Sequence, residues 1–201
     1  MTPLTFLFVG RSGCGKGTQA RLLSEYLQKL DGRNVYTLEG GSELRKYFEG
    51  TTYSSRLSRE LNNKGELQPE FLSIWVWTGL LVNNLKEGEH LIVDGPGRRR
   101  RECETLDVAF DFYGREAPFI VHLDVSTDWS RTRMLARGRA DDTEEAIARR
   151  LAWFEKETIP AMEFFRTNSK YRFVDINGEQ PIEKVHQDIV AAVEDRLHGS
   201  R

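Results

Sequence analysis

The sequence has almost no cysteine: Cys14 and Cys103 are the only two among 201 residues. One lies in a glycine-rich stretch and the other in a charged, helix-like segment, which is not the framework of a disulfide-stapled secreted domain. A charge excess is lacking as well, since 29 lysines and arginines face 31 aspartates and glutamates, for a formal net charge of −2. Bulk attraction to nucleic acid or to a membrane surface is therefore not expected, and any anion site must be local. Long apolar runs are also missing. Leu4 to Val9 is far shorter than a signal-peptide core or a membrane span, and Met1-Thr2-Pro3 before it carries no basic leader. The expectation is a cytoplasmic chain, neither exported nor anchored. Internal repeats, low-complexity tracts and Pro/Gly/Ser linkers are absent too. What is left is 39% hydrophobic, enough for one core but too short a chain for two, so residues 1–201 are expected to form a single domain.

Five short apolar, β-leaning runs stand out: Leu4 to Val9, Asn34 to Leu38, His90 to Val93, Phe119 to Val125 and Tyr171 to Val174. Helix-like sequence separates each from the next. Such alternation predicts an α/β fold, a parallel five-stranded sheet with helices on both faces. Residues 39–68 are polar and helical without a strand, and they read as an insertion ahead of the long apolar helix that begins near Pro69. That insertion is expected to be mobile.

Gly10-Arg11-Ser12-Gly13-Cys14-Gly15-Lys16-Gly17-Thr18 matches the G-x-x-x-x-G-K phosphate loop and sits between a strand and a helix, as the mechanism requires. Glycines let successive backbone N–H groups turn inward, the helix amino terminus adds partial positive charge, and Lys16 supplies a full charge for the β- and γ-phosphates. A glycine turn that binds nothing would not account for the lysine. Gly17 occupies the usual Ser/Thr position, and the nearest hydroxyl is Thr18.

Phosphoryl transfer chiefly needs two anionic substrates held in line and charge neutralised on the moving group, so arginines from several elements should converge on the loop. Arg45 is one candidate. Arg98 to Arg101 are expected to open a helix, where their charge opposes the macrodipole and suggests an anion near Arg98, while Arg99 to Arg101 are expected to be solvated. Arg133 and Arg137 are four apart on one face of a helix starting near Asp128, with Arg139 and Arg150 following. Asp94 ends a strand at its carboxyl end, where a carboxylate can orient water on Mg²⁺.

Gly15-Lys16-Gly17-Thr18-Gln19 has the form found in the adenylate kinase family, and nearly the whole sequence resembles that family. Glu39-Gly40-Gly41-Ser42-Glu43-Leu44-Arg45 is similar to the segment that holds the acceptor nucleotide. Asp94-Gly95-Pro96-Gly97-Arg98 is similar to the strand-end Asp-Gly-Phe-Pro-Arg motif. Arg133, Arg137-Gly138-Arg139, Asp141-Asp142 and Arg150-Leu151 resemble its arginine pattern closely. The resemblance implies a three-layer P-loop NTPase fold with a core (1–38, 69–136 and 142–201), a monophosphate-binding insertion (39–68) and a minimal lid (137–141). It implies ATP with Mg²⁺ on Gly10, Ser12, Gly13, Cys14, Gly15, Lys16, Gly17 and Thr18, Arg133 stacked on the ATP base, and Gly178 close to the adenine. Asp94, through water, and Thr18 are the implied metal contacts. Gly40, Arg45, Gln68, Gly95, Arg98, Glu102, Arg139 and Arg150 would hold the acceptor, with Arg45 on its α-phosphate. Lys16, Asp94, Arg98, Arg137, Arg139 and Arg150 would carry catalysis. The resemblance further implies a monomer without nucleic-acid or membrane partners, and the lid has no cysteine with which to bind zinc.

Besides Pro96 and Gly97, which stand where the strand-end motif has Phe and Pro, two positions depart from the family pattern. Glu102 stands where a glutamine reads the AMP base, and an ionised carboxylate can accept from the N6 amine but not donate to N1. Gly40 replaces a threonine. AMP is the expected acceptor, with CMP, UMP, GMP or a deoxynucleotide as alternatives. A catalytically silent nucleotide sensor is the non-enzymatic reading, and a nucleic-acid binder built on Arg98 to Arg101 is disfavoured by the near-neutral charge.

Overall fold

A computed structural model describes residues 2–139 and 141–198. Met1, Ala140 of the expected lid and residues 199–201 of the expected core lie outside the described residues. The five strands are β1 (Thr5–Val9), β2 (Val35–Glu39), β3 (His90–Asp94), β4 (Phe119–Asp124) and β5 (Arg172–Asn177). All neighbours pair in parallel, in the order β2-β3-β1-β4-β5. β1 is therefore central, and its Thr-Phe-Leu-Phe-Val run is buried throughout, as a parallel strand covered on both faces must be.

The two faces follow from alternation along each strand. Phe6 and Phe8 join Ala20, Leu23 and Leu27 of α1 (Lys16–Asp31) and Val185, Ile189 and Val193 of α9 (Ile182–His198) in one core. Leu7 and Val9 join a second, formed with Trp77 and Leu81 of α4 (Glu70–Asn84), Cys103, Leu106 and Phe110 of α5 (Arg100–Phe112), and Met162 and Phe165 of α8 (Ile159–Arg166). Among the described residues no helix is long and apolar enough to cross a membrane.

Residues 39–68, expected as an insertion without a strand, hold two helices, α2 (Gly40–Phe48) and α3 (Tyr53–Asn63), while Glu39 itself ends β2. On the opposite side of the chain order, α6 (Thr127–Arg137) is followed by α7 (Glu144–Trp153), with a π turn over Phe154–Thr158 leading into α8. Thr52, Ser126 and Thr143 cap α3, α6 and α7 with side-chain oxygens on Ser55 N, Trp129 N and Ala146 N.

Two sequence expectations are corrected. β5 was expected to stop at Val174 but runs to Asn177, because an edge strand needs only one buried position in two: Ile176 is buried between exposed Asp175 and Asn177. Arg98 and Arg99 do not belong to a helix. α5 begins at Arg100, with Arg99 extended at the N-cap (φ −133°, ψ 159°). The charge conflict with the helix dipole is smaller than expected, since Glu102 occupies the first turn and Arg100 bonds to Glu104 at 2.7 Å.

Candidate functional site

A cavity of about 790 Å³ opens at the carboxyl ends of the strands, where open α/β sheets place their ligands. Its base is the glycine loop between β1 and α1. Gly13 and Gly15 have φ of 85° and 101°, a region that costs any residue with a Cβ. Gly15 is also the N-cap of α1 and offers no side-chain cap. The first N–H groups of α1 are thereby left for a ligand, a ready anion site. Gly10 (φ 139°) does not line the cavity: a Cβ there would come within 2.6 Å of the Leu123 carbonyl oxygen, so it sets the loop against β4 instead. The Lys16 ammonium donates to the Gly10 and Arg11 carbonyls at 2.8 and 2.9 Å.

Asp94 ends β3 facing the loop. A Cβ on Gly17 would lie 3.4 Å from Asp94 Oδ2, so the glycine that replaces the usual hydroxyl residue leaves room in front of this carboxylate. A single carboxylate with Thr18 lining the same cavity is the kind of donor set Mg²⁺ uses when it arrives on phosphates, because it keeps most of its waters. Among the described residues, no three His, Cys, Asp or Glu side chains gather as a metal-holding group. The residues thus fit a metal carried in by a nucleotide rather than one held by protein alone.

Seven arginines line the same cavity: Arg45, Arg98, Arg99, Arg133, Arg137, Arg139 and Arg150. Adjacent carboxylates organise two of them. Arg137 grips Asp142 with Nε and Nη2 at 2.6 and 2.9 Å, and Arg150 reaches both Asp142, at 2.6 Å, and Asp141. Burial pushes the Asp142 carboxyl upward, but hydrogen bonds and charge from Arg137 and Arg150 outweigh it and hold it below the usual carboxylate value. The Arg45 and Arg139 guanidinium groups make no hydrogen bond or ion pair with the described residues. Burial, and then the charges of Arg137 and Arg45, draw the Arg139 guanidinium below its ordinary value. Like charges crowded this way mark a place for an anion.

Arg98 donates from Nε to Gly95 O at 3.0 Å and lies 5.5 Å over the Trp153 ring. Burial lowers its pKa against the upward pull of Glu102 and Asp94. Glu102, only 4% exposed, accepts from the backbone N–H of Gly97 and Arg98 through one oxygen, at 3.0 and 2.8 Å. Gln68 donates to Ser58 O at 3.0 Å, and its own carbonyl accepts from Arg99 at 3.0 Å. Gly95 (φ 118°) closes on the Gly41 backbone, where a Cβ would stand 3.1 Å from its N. Gly40 is matched to Pro96, whose Cδ would lie 3.1 Å from an added Cβ. The two departures at 40 and 96 thus fit each other sterically. Gly178 passes within 2.6 Å of Val125 Cγ1, measured from the Cβ it lacks, and within 3.6 Å of the Cys14 carbonyl oxygen.

Every residue expected from sequence to form the site except Gly10 lines this one cavity. Three others were not anticipated. Trp129 lies under the Arg133 guanidinium at 4.7 Å, and Trp153 under Arg98. Arg99 bonds to Gln68 O. The Trp129–Arg133 spacing of four was the one readable signal, since on a helix it places both on one face.

The far end of the insertion also meets α7. Arg149 donates to Lys64 O at 2.7 Å, Trp153 Nε1 to Gly65 O at 3.1 Å, and Asn62 to Asp141 at 3.4 Å. Gly65 (φ 70°) has no room for a Cβ, which would sit 2.6 Å from Ala146 Cα.

Comparison with known proteins places this arrangement. The family described as adenylate kinase matches residues 8–170. An adenylate kinase from Prochlorococcus marinus is 31% identical over 183 residues, covering 91% of this chain and 94% of the relative. Adenylate kinase 1 of a Nostoc species is 30% identical over 190 residues, 93% and 97% of the two chains. An adenylate kinase of Bifidobacterium longum is 31% identical over 196 residues, 95% of this chain and all of the relative.

Proposed function

The chain belongs to the adenylate kinase family of phosphotransferases, and from that premise we propose that it transfers the γ-phosphate of ATP reversibly to AMP, giving two ADP. One observation carries the reading: an open glycine loop with Lys16 shares a cavity with Arg45 and Arg139, two arginines whose guanidinium groups make no hydrogen bond or ion pair with the described residues. A second phosphate-bearing ligand satisfies both.

On this reading the N–H groups of Gly13 and of Gly15 to Thr18 cradle the donor phosphates, and Lys16 exchanges its two carbonyl partners for phosphate oxygens. Mg²⁺ bound with ATP would be oriented by Asp94 through water, with Thr18 close by, and would supply charge neutralisation across the phosphates. Arg45 and Arg98 hold the acceptor phosphate. Arg137, Arg139 and Arg150 meet the charge that develops on the moving group. Asp141 and Asp142 hold two of these arginines in place beforehand, so little reorganisation is left for the reaction itself. Arg133 and Trp129 form one wall for the donor base, and Gly178 lets the backbone come close to it.

At the acceptor base, Glu102 has one oxygen committed to Gly97 and Arg98 and keeps the other for an exocyclic amine. AMP fits through N6 alone, so base choice is expected to be looser than a glutamine would give. The test is a coupled assay with ATP and Mg²⁺ against a panel of nucleoside monophosphates, with AMP expected to show the highest kcat/KM. A strong preference for GMP or a pyrimidine would overturn AMP as acceptor, and transfer to none of them would overturn the kinase reading. In the same assay Glu102→Gln should raise the AMP to GMP ratio about tenfold, the low end of what one mismatched polar contact costs. An unchanged ratio would show that Glu102 serves only to brace the loop.

A further inference from the structure

Arg11 is the one charged residue of the glycine loop besides Lys16, and it points away from the cavity. Its Nη1 donates to Val125 O at 2.7 Å, its Nη2 bonds to Glu155, and its guanidinium lies 4.8 Å over the Phe154 ring. Its backbone carbonyl meanwhile accepts from Lys16 Nζ at 2.9 Å and from Cys14 N at 3.2 Å. The residue therefore joins the phosphate cradle to the start of the π turn.

That turn is a rare form, with Ile159 N bonded back to Phe154 O, and such turns occur often at functional sites. Its neighbours on the same stretch reach the acceptor side. Trp153 lies under Arg98 and donates to Gly65 O of the insertion, and Thr158 Oγ1 donates to Arg98 O at 3.1 Å. A continuous set of contacts thus runs from the donor loop through Arg11, Phe154 and Glu155 to Trp153 and Thr158, and on to Arg98. We infer that Arg11 is a positioning residue for phosphoryl transfer, fixing the distance between the donor-phosphate cradle and the acceptor-phosphate arginine by bracing both on the π turn. It touches neither substrate. The inference rests on the kinase reading above. A planar fork that bonds, stacks and carries charge at once suits arginine and not lysine.

The experiment compares Arg11→Ala, Arg11→Lys and Glu155→Gln with the unsubstituted chain in steady-state transfer, in calorimetric binding of ATP alone and AMP alone, and in thermal unfolding. Misplacing reacting groups by about 1 Å costs on the order of 10²-fold in rate. The expected result is a tenfold or greater loss of kcat in Arg11→Ala, with a partial loss in Arg11→Lys. Affinity for each nucleotide by itself should stay within about threefold. Arg11→Ala combined with Glu155→Gln should lose no more than Arg11→Ala alone, because both act through one contact. Unchanged kcat, or a loss of ATP affinity as large as the loss of kcat, would overturn the inference. So would additive losses in the double variant. If Arg11→Ala fails to fold, Arg11→Lys and Glu155→Gln carry the same test. Absence of transfer by the unsubstituted chain would instead strike the kinase reading, before any variant is made.

Discussion

Lys16 is held by two backbone carbonyls, partners that on the proposed reading a phosphate oxygen would displace without leaving a buried charge stranded. Lys16→Met should keep the fold, seen as an unchanged melting temperature, while lowering turnover roughly 10²-fold or more, the scale of one lost charge-stabilising donor. On the proposed reading Arg139 and Arg150 meet the moving phosphoryl, so Arg139→Ala and Arg150→Ala should lower kcat more than they raise the acceptor KM, because such groups act chiefly in the transition state. If both change only KM, the assignment of these two arginines fails. The glycine loop and the arginine spacings were legible in the sequence because each is local, fixed by a few neighbouring positions. The commitment of Glu102 to Gly97 N and Arg98 N was not. Backbone donors in a loop carry no residue signature, and a glutamate four positions past an arginine gives no sign of which of them it will meet. Gly40 likewise looked like a lost hydroxyl until Pro96 was seen beside it.

At the scale of elements, the insertion and α7 are joined where Gly65 passes Ala146. Gly65→Ala puts a methyl group both at positive φ and inside the van der Waals radius of Ala146 Cα, so α3 must draw back from α7. The expected outcome is a rise in acceptor KM together with a fall in kcat, while ATP affinity measured alone stays within about twofold. Loss of ATP binding to the same extent would show that the contact supports the core rather than the acceptor site. Strand count, order of elements and the helical nature of 39–68 could be read from period and composition. Ends were less legible. β5 looked three residues too short, since its polar edge positions resemble loop, and α5 looked two residues too long, since Arg98 and Arg99 carry no helix-stopping residue type of their own.

Over the whole molecule, acid stability can be traced to particular pairs. Hydrogen bonds from Arg166 and then from His122 hold the Asp175 carboxyl down to about 2, against an ordinary 3.8, with burial opposing them. A depressed folded-state value means that the unfolded chain binds the proton first, so this contribution is complete above about pH 4 and is lost as pH falls toward 2. The pair is half exposed, so its size is modest. Asp175→Asn should lower the urea midpoint slightly at pH 7, and the gap from the parent should narrow between pH 4 and pH 2. A gap that stays constant across that range would show that Asp175 does not contribute through its charge. The sheet order carries one more consequence, in time rather than space. β1 leaves the ribosome ahead of both strands that flank it, and its second neighbour is complete only at Asp124, 115 residues after Val9. At about 5–20 residues per second the five-residue apolar run waits on the order of 6–23 s without its full partners. Of the five strands, the one that anchors the phosphate loop thus waits longest for its partners during synthesis, so heat or chaperone shortage should reduce the yield of newly made protein well before it harms molecules already folded.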